Sequence, residues 1–333
     1  MEVVKVACGN SFSVALMDDG TIWGCGYKGL ISPVGICGTV MTRIENERVK
    51  DVAALFSTIF FINKRNELWG WGENHSGELG SEDGETHWIL DHVIKVETPG
   101  CGSACFALRD NGEVWAWGKF GVFVEKPKKI AENIISLAAD AGNLALIDAN
   151  HDLLMSGSNF HGQIGDGTTE KCETPKCILH DVHQVEFSGG TYCSCFAVTG
   201  DGQLYGWGND KHLFTGRNKA DIVDGRLLQP HVILENASMV SAGYKHILVI
   251  TKEGELLSWG SNENGQRGEE SASYQYEPKA VFSNARYARA GNSWSFVVDT
   301  AGQLWSCGNN RQGQIGIGSQ TDSSIFVGVQ FIQ

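Results

Sequence analysis

The residues able to do chemistry are numerous in this chain but dispersed. Gly24-x-Gly26-x-x-Gly29 has the spacing at which backbone amides can wrap a dinucleotide pyrophosphate. That use requires a strand feeding a helix in a parallel sheet. The same glycines recur along the chain as punctuation, so no cofactor is expected. Zinc knuckles need paired Cys-x-x-Cys steps, whereas Cys101 to Cys105, Cys172 to Cys177 and Cys193 to Cys195 have other spacings. No structural metal is expected either. None of the 10 histidines stands in a short motif with a nucleophile or a ligand set, and no carboxylates are paired for acid–base work. Catalytic residues: none, and a hydrolytic enzyme is disfavoured. The basic cluster Lys126, Lys128 and Lys129 reads as a solvated edge.

The elements that must carry these residues repeat. A Trp-x-Trp-Gly phrase recurs seven times, as Ile22-Trp23-Gly24-Cys25-Gly26, Leu68-Trp69-Gly70-Trp71-Gly72, Val114-Trp115-Ala116-Trp117-Gly118, Leu153-Leu154-Met155-Ser156-Gly157, Leu204-Tyr205-Gly206-Trp207-Gly208, Leu256-Leu257-Ser258-Trp259-Gly260 and Leu304-Trp305-Ser306-Cys307-Gly308. The terminal glycines are 46, 46, 39, 51, 52 and 48 residues apart. Joining the 25 residues after Gly308 to the 26 that end at Gly26 makes a seventh interval of 51. The repeat closes on itself. An open solenoid would need polar caps instead.

Within a unit, short apolar runs alternate with turn residues and no long 3.6-residue period occurs, which is the all-β pattern. Turns such as Asp19-Gly20, Asn111-Gly112, Asp201-Gly202, Glu253-Gly254 and Ala301-Gly302 suit tight hairpins. About 47 residues and four strands per unit predict a seven-bladed β-propeller with four-stranded antiparallel blades. It forms one domain, 1–333, and its first blade is completed by the C-terminal strand. Eight of the 10 tryptophans occupy the recurring phrase. Read as the last strand of each blade, that phrase puts its two large residues on one face, as wedges between blades. Cys25 and Cys307 share one position of the repeat, and Cys105 and Cys195 another, as interchangeable small core residues do.

A net charge of -13 is the wrong sign for a nucleic-acid partner. The longest apolar stretches, around residues 51–63, fall short of the ~20 residues that cross a bilayer. Met1-Glu2-Val3-Val4-Lys5 does not open a secretory leader. The expectation is therefore an intracellular, cytoplasmic or nuclear, monomer with reduced cysteines, in which the acceptor-like Asn236-Ala237-Ser238 is idle.

The Ala/Cys-Gly turn, the apolar Ala-Leu strand, Asp-Gly, Trp-x-Trp-Gly and the Gly-x-Asn-x-x-Gly-Gln/Glu-x-Gly loop at residues 72–80, 260–268 and 308–316 together resemble the regulator of chromosome condensation repeat family across essentially the whole chain. The resemblance implies a seven-bladed propeller in which one strand from one terminus closes the ring with three from the other. It also implies protein partners. The founding member is a nucleotide exchange factor for the small GTPase Ran, and other relatives are ubiquitin-ligase modules, a plant light receptor, inhibitors and bacterial effectors. Exchange in the founding member uses a β-wedge after the third Trp-Gly strand. The similar segment here is Gly118-Lys119-Phe120-Gly121-Val122-Phe123-Val124-Glu125-Lys126-Pro127, shorter and without the Asn-x-x-Gly-Gln loop. It reads either as a trimmed wedge or as a blade with a deleted loop. The turn Gly100-Cys101-Gly102-Ser103 lacks the carboxylate that the founding family places there, which counts against exchange. The light-receptor reading is discarded, since only Trp294 stands near the repeated tryptophan positions it needs.

Strand alternation sends the glycine turns and the crossover loops to one rim. The candidate partner-binding residues there are Lys119, Phe120, Val122, Phe123, Glu125, Phe160, His161, Tyr192, Asp210, Tyr244, Lys245, His246 and Trp294, with Tyr27 beside them. The leading functional reading is a propeller that binds a Ran-like GTPase, with exchange activity as an added step. The alternative is a non-catalytic recognition scaffold of the ubiquitin-ligase-adaptor, inhibitor or effector kind.

Overall fold

The computed structural model describes residues 1–27, 38–45, 48–80, 87–99, 103–120, 122–140, 142–189, 193–210 and 224–332. Seven antiparallel sheets stand around a closed ring. Their innermost strands are Val3–Cys8, Val49–Leu55, Val93–Glu97, Ile134–Asp140, Val182–Phe187, Ala237–Ala242 and Ala285–Ala290, which number blades one to seven. Each inner strand packs against the next, and that of blade seven packs against that of blade one.

Every blade takes its four antiparallel strands from one continuous stretch, from the channel outwards. In blade one these are Val3–Cys8, Phe12–Met17, Ile22–Gly26 and Gly38–Glu45. The Trp-bearing strand is thus the third of its blade, not the last. The loop after it leads to the outer strand of the same blade. On the way it braces the next one: the Trp117 indole donates to the Glu78 carbonyl at 2.6 Å, and that of Trp207 to Gln163 at 2.9 Å.

The C-terminal strand Phe331–Ile332 completes the first blade, in a manner the resemblance did not imply. It pairs in parallel with Gly38–Glu45, through Phe331 with Met41 and Ile332 with Thr42, as a fifth strand. The preceding segment Ser323–Gly328 is the outer strand of blade seven. Apolar packing and polar contacts close the ring as well: Trp23 meets Phe331 edge-on at 5.6 Å, one cluster joins Val6, Trp23 and Met41 to Phe296, Leu304 and Ile315, and Arg286 donates to the Val3 carbonyl at 2.9 Å.

Burial explains the strand sequences. Second strands such as Phe12–Met17, Ser194–Thr199 and His246–Thr251 lie between neighbouring blades and are buried at every residue, so they read as unbroken apolar runs. Trp117, Trp207 and Trp259 are fully buried wedges. Trp117 sits among Phe60, Leu79 and Ile89 of blade two, and Trp207 among Met155 and Ile164 of blade four. The glycine that ends each phrase is sterically required. At Gly72, with φ +124°, a Cβ would lie 2.2 Å from the Ser57 carbonyl oxygen.

Candidate functional site

The turns between inner and second strands and the loops after third strands emerge on one rim, while the Asp-Gly hairpins emerge on the other. Neighbouring turns of the loop rim are tied around the ring. Asn10 N–H donates to the Phe56 carbonyl at 2.9 Å, Gly189 to Gly243 at 3.2 Å and Tyr244 to Asn292 at 3.3 Å. They frame the mouth of the central channel, a cavity of about 190 Å³ walled by Asn10, Phe56, Pro99, Tyr244 and Asn292.

Glu97, Glu186 and Arg289 line both this cavity and a deeper one of about 170 Å³. The Arg289 guanidinium stands 3.5 Å from Glu186. Burial pushes the Glu186 carboxyl up against the pull of Arg289, and burial opposes the Arg289 charge, but its carboxylate neighbours keep it cationic. Cys8 beside them is pushed up to about 11 by burial, so it is a protonated thiol at neutral pH. Among the described residues the channel thus presents a buried ion pair and a protonated thiol.

On the rim itself Phe160 is the most exposed large apolar side chain among the described residues, at 75%. Its loop is stiff. The Asn159 side chain accepts from Ile164 N–H at 3.0 Å and donates to the Thr168 carbonyl at 3.0 Å, while His161 N–H donates to Gln163 Oε1 at 2.8 Å. His161 is half-buried, 3.4 Å from the Asn209 amide, and burial followed by the Arg226 charge pushes its pKa down. Tyr27 is exposed; Tyr244 and Lys245 are half-buried, with the ammonium 5.8 Å from the ring centre.

In blade three the third strand, Val114–Phe120, runs two residues past the anchor Gly118. It pairs with the outer strand Val122–Ala131, with Lys119 opposite Phe123 and Phe120 opposite Val122. The two strands stay paired up to Phe120 and Val122, whereas in blade one the third and outer strands, Ile22–Gly26 and Gly38–Glu45, are separated by 11 residues. Lys119 is exposed; the side chains of Phe120, Val122, Phe123 and Glu125, and the whole of Tyr192, lie outside the described residues.

Three expected rim residues face inward. Asp210 is buried, its N–H donating to the Gly225 carbonyl at 2.8 Å. The Trp294 indole is buried and donates to Ser13 Oγ of blade one at 3.1 Å. His246 is fully buried, with Nε2 2.8 Å from Ser295 Oγ. The Trp294 and His246 side chains join blades, and all three are buried away from the rim surface. Phe56, which the sequence reading passed over, is exposed at the channel mouth with φ 43°. Its signal was available: Phe56 occupies the turn slot held by Asn10, Tyr244 and Asn292 in other units.

His246 has a pH consequence. Ser295 Oγ gives its proton to the Gln266 carbonyl at 2.6 Å, so His246 Nε2–H is the donor to Ser295 and the ring is neutral. Burial, then the Arg267 charge, pushes its pKa down to about 3. The unfolded chain therefore takes up a proton near pH 6.5 that the folded protein refuses until about pH 3. This contribution is complete above the unfolded pKa and is lost as pH falls. Wild type is expected to lose more thermal stability than His246→Gln between pH 7 and pH 4.5, by up to about 1.4 kcal/mol per pH unit. Parallel melting curves of the two proteins would refute this.

The comparisons with known proteins agree with the architecture. The sequence profile of the regulator of chromosome condensation (RCC1) repeat matches residues 3–27 and 240–266. The human E3 ubiquitin-protein ligase HERC2 is 26% identical over 287 residues, covering 79% of this chain and 5% of that protein. The ultraviolet-B receptor UVR8 of Arabidopsis thaliana is 25% identical over 291 residues, covering 80% of this chain and 55% of the receptor. The chain therefore spans about half or less of these relatives' length. The solved structure of Prp20p from Saccharomyces cerevisiae superposes with a TM-score of 0.80 at 18% identity, covering 95% of this chain and 87% of that one, a likeness of fold. With repeat profile, blade count and superposition in accord, this chain is a seven-bladed propeller that carries regulator of chromosome condensation repeats at residues 3–27 and 240–266.

Proposed function

We propose that this propeller is a protein-recognition module whose loop rim docks a small GTPase of the Ran kind and weakens its hold on nucleotide. The observation that carries the docking surface is Phe160, a fully presented aromatic on a hydrogen-bonded loop. It shares its rim with the extended hairpin of blade three and the Phe56 and Tyr244 mouth. Rigid aromatic anchors among polar neighbours are the composition of interface hot spots. The choice of partner is supported by the likeness to Prp20p, which binds Gsp1p and histones. Exchange needs no acid–base group. A module that binds the nucleotide-free GTPase more tightly must, by linkage, lower nucleotide affinity by the same factor. An intracellular site of action as a monomer belongs to the same proposal.

The test is release of a fluorescent guanine nucleotide from Ran-type GTPases. Accelerated release is expected, and Phe160→Ala is expected to weaken GTPase binding about tenfold or more. Unchanged release at high propeller concentration would defeat exchange. Retained binding without exchange would instead favour a scaffold that recognises a protein and does no more. The carboxylate-free turn Gly100-Cys101-Gly102-Ser103 and the ligase relative favour that second reading.

A further inference from the structure

The face opposite the loop rim carries a cluster that neither the fold nor the docking proposal uses. Asp152 lies at the base of a hairpin in blade four, and Cys177 and His180 belong to the end of the outer strand Cys172–Leu179 and the link after it. One ligand atom from each of the three lies within 4.8 Å of the others. His180 Nδ1 is 2.6 Å from Asp152 Oδ1. The strand ladder fixes the meeting: Cys177 pairs with Leu154 and Leu179 with Leu153, which brings the outer strand beside the residue following Asp152. Asp152 is itself held, its N–H donating to Asp148 Oδ1 at 3.0 Å.

The charge around the cluster is one-sided. Asp148, Asp152 and Asp181 gather there, and among the described residues their ion-pair partners are imidazoles only, His180 with Asp152 and His183 with Asp181 at 3.6 Å. His151 and His183 stack at 4.4 Å close by. No Lys or Arg neutralises the group among the described residues.

We propose that Asp152, Cys177 and His180 form a binding site for one zinc-class divalent cation, with water in the fourth position. Thiolate, imidazole and carboxylate are the donor set of borderline-soft metals, at about 2.3 Å for sulfur and about 2.0–2.2 Å for nitrogen and oxygen. Those lengths place tetrahedral donors about 3.3–3.8 Å apart. The Asp152–His180 pair would open and Cys177 would draw in, each by roughly 1 Å, within the rotamer freedom of the exposed His180 and Cys177 side chains. Burial and then the Asp152 and Asp148 carboxylates push the Cys177 thiol up, and a bound cation would reverse that, so uptake releases a proton. The site lies across the molecule from Phe160, so it is independent of docking.

Chelator-stripped, untagged full chain titrated with Co²⁺ is expected to develop a thiolate-to-cobalt charge-transfer band that saturates at one equivalent and is displaced by Zn²⁺. Cys177→Ser is expected to abolish the band, and His180→Ala and Asp152→Asn to weaken binding at least tenfold. Cys172→Ser, at the far end of the same strand, is expected to change nothing. A circular-dichroism melt of each variant reports folding separately. Absence of the band, or its survival in Cys177→Ser, would overturn the site.

Discussion

Replacing Trp207 by alanine is expected to lower the stability of the propeller by about 4 kcal/mol, read as a shift in urea-unfolding midpoint. The indole is fully buried and fills the seam between blades four and five, against Met155, Ile164 and Leu227. Deleting it leaves a cavity that flanking β-sheets cannot close, because their backbone ladders hold them apart. It also strands the Gln163 carbonyl, which accepts the indole N–H at 2.9 Å. The half-buried Trp305, at the outer position of the same phrase in blade seven, is the comparison. Its indole meets Asp299 Oδ2 at 2.9 Å near solvent, so Trp305→Ala should cost about half as much. Equal losses would show that the inner tryptophans are not the wedges.

The ring was legible because closure is arithmetic on glycine spacings, and those glycines are dictated by backbone contact, as at Gly72. Strand order within the blade was less so. A cyclic repeat has no intrinsic first strand, and only the observed pairing of Ile22–Gly26 with Gly38–Glu45 places the Trp strand third. The parallel tail strand Phe331–Ile332 is two residues long and carries no periodicity to read. Side-chain direction at the rim was the real loss. His246 and Trp294 follow a glycine turn and so look like loop residues, yet each opens a second strand opposite an anchor glycine, Gly260 and Gly308. Phe12, Thr58, Ala104, Asn143 and Ser194 hold the same slot and are buried too. The missing side chain of the glycine leaves space that the opposite residue fills. Phe160 was visible because it has no such partner. The Asp152 cluster was not read from the sequence, because Cys177 and His180 gain their third member only through the strand ladder.

Removing the carboxylate of Glu269 is expected to cost about 3 kcal/mol, and removing its cationic partner far less. Arg267 stands in a repeat slot that other blades fill with Leu79, Ile164 and Ile315. Its guanidinium is buried beside Glu269 and donates to the carbonyls of Gly260 at 3.0 Å, Ser273 at 2.8 Å and Ser271 at 3.3 Å. Burial pulls its pKa below the ordinary range while Glu269 supports it, and Arg267 Nε has no acceptor among the described residues. The charge is therefore tolerated only with its counter-ion. Glu269→Ala leaves it buried and unpaired, the costly half of breaking such a pair, although the three carbonyls temper the loss. Arg267→Leu deletes the charge and restores the apolar packing of the other blades. Glu269 then keeps Lys279 at the surface, so this variant should lie within about 1 kcal/mol of wild type, or above it. In the double variant Arg267→Leu/Glu269→Ala the second change should cost almost nothing. A Glu269→Ala loss that persists on the Arg267→Leu background would mean that the carboxylate supports the loop by some route other than the buried guanidinium.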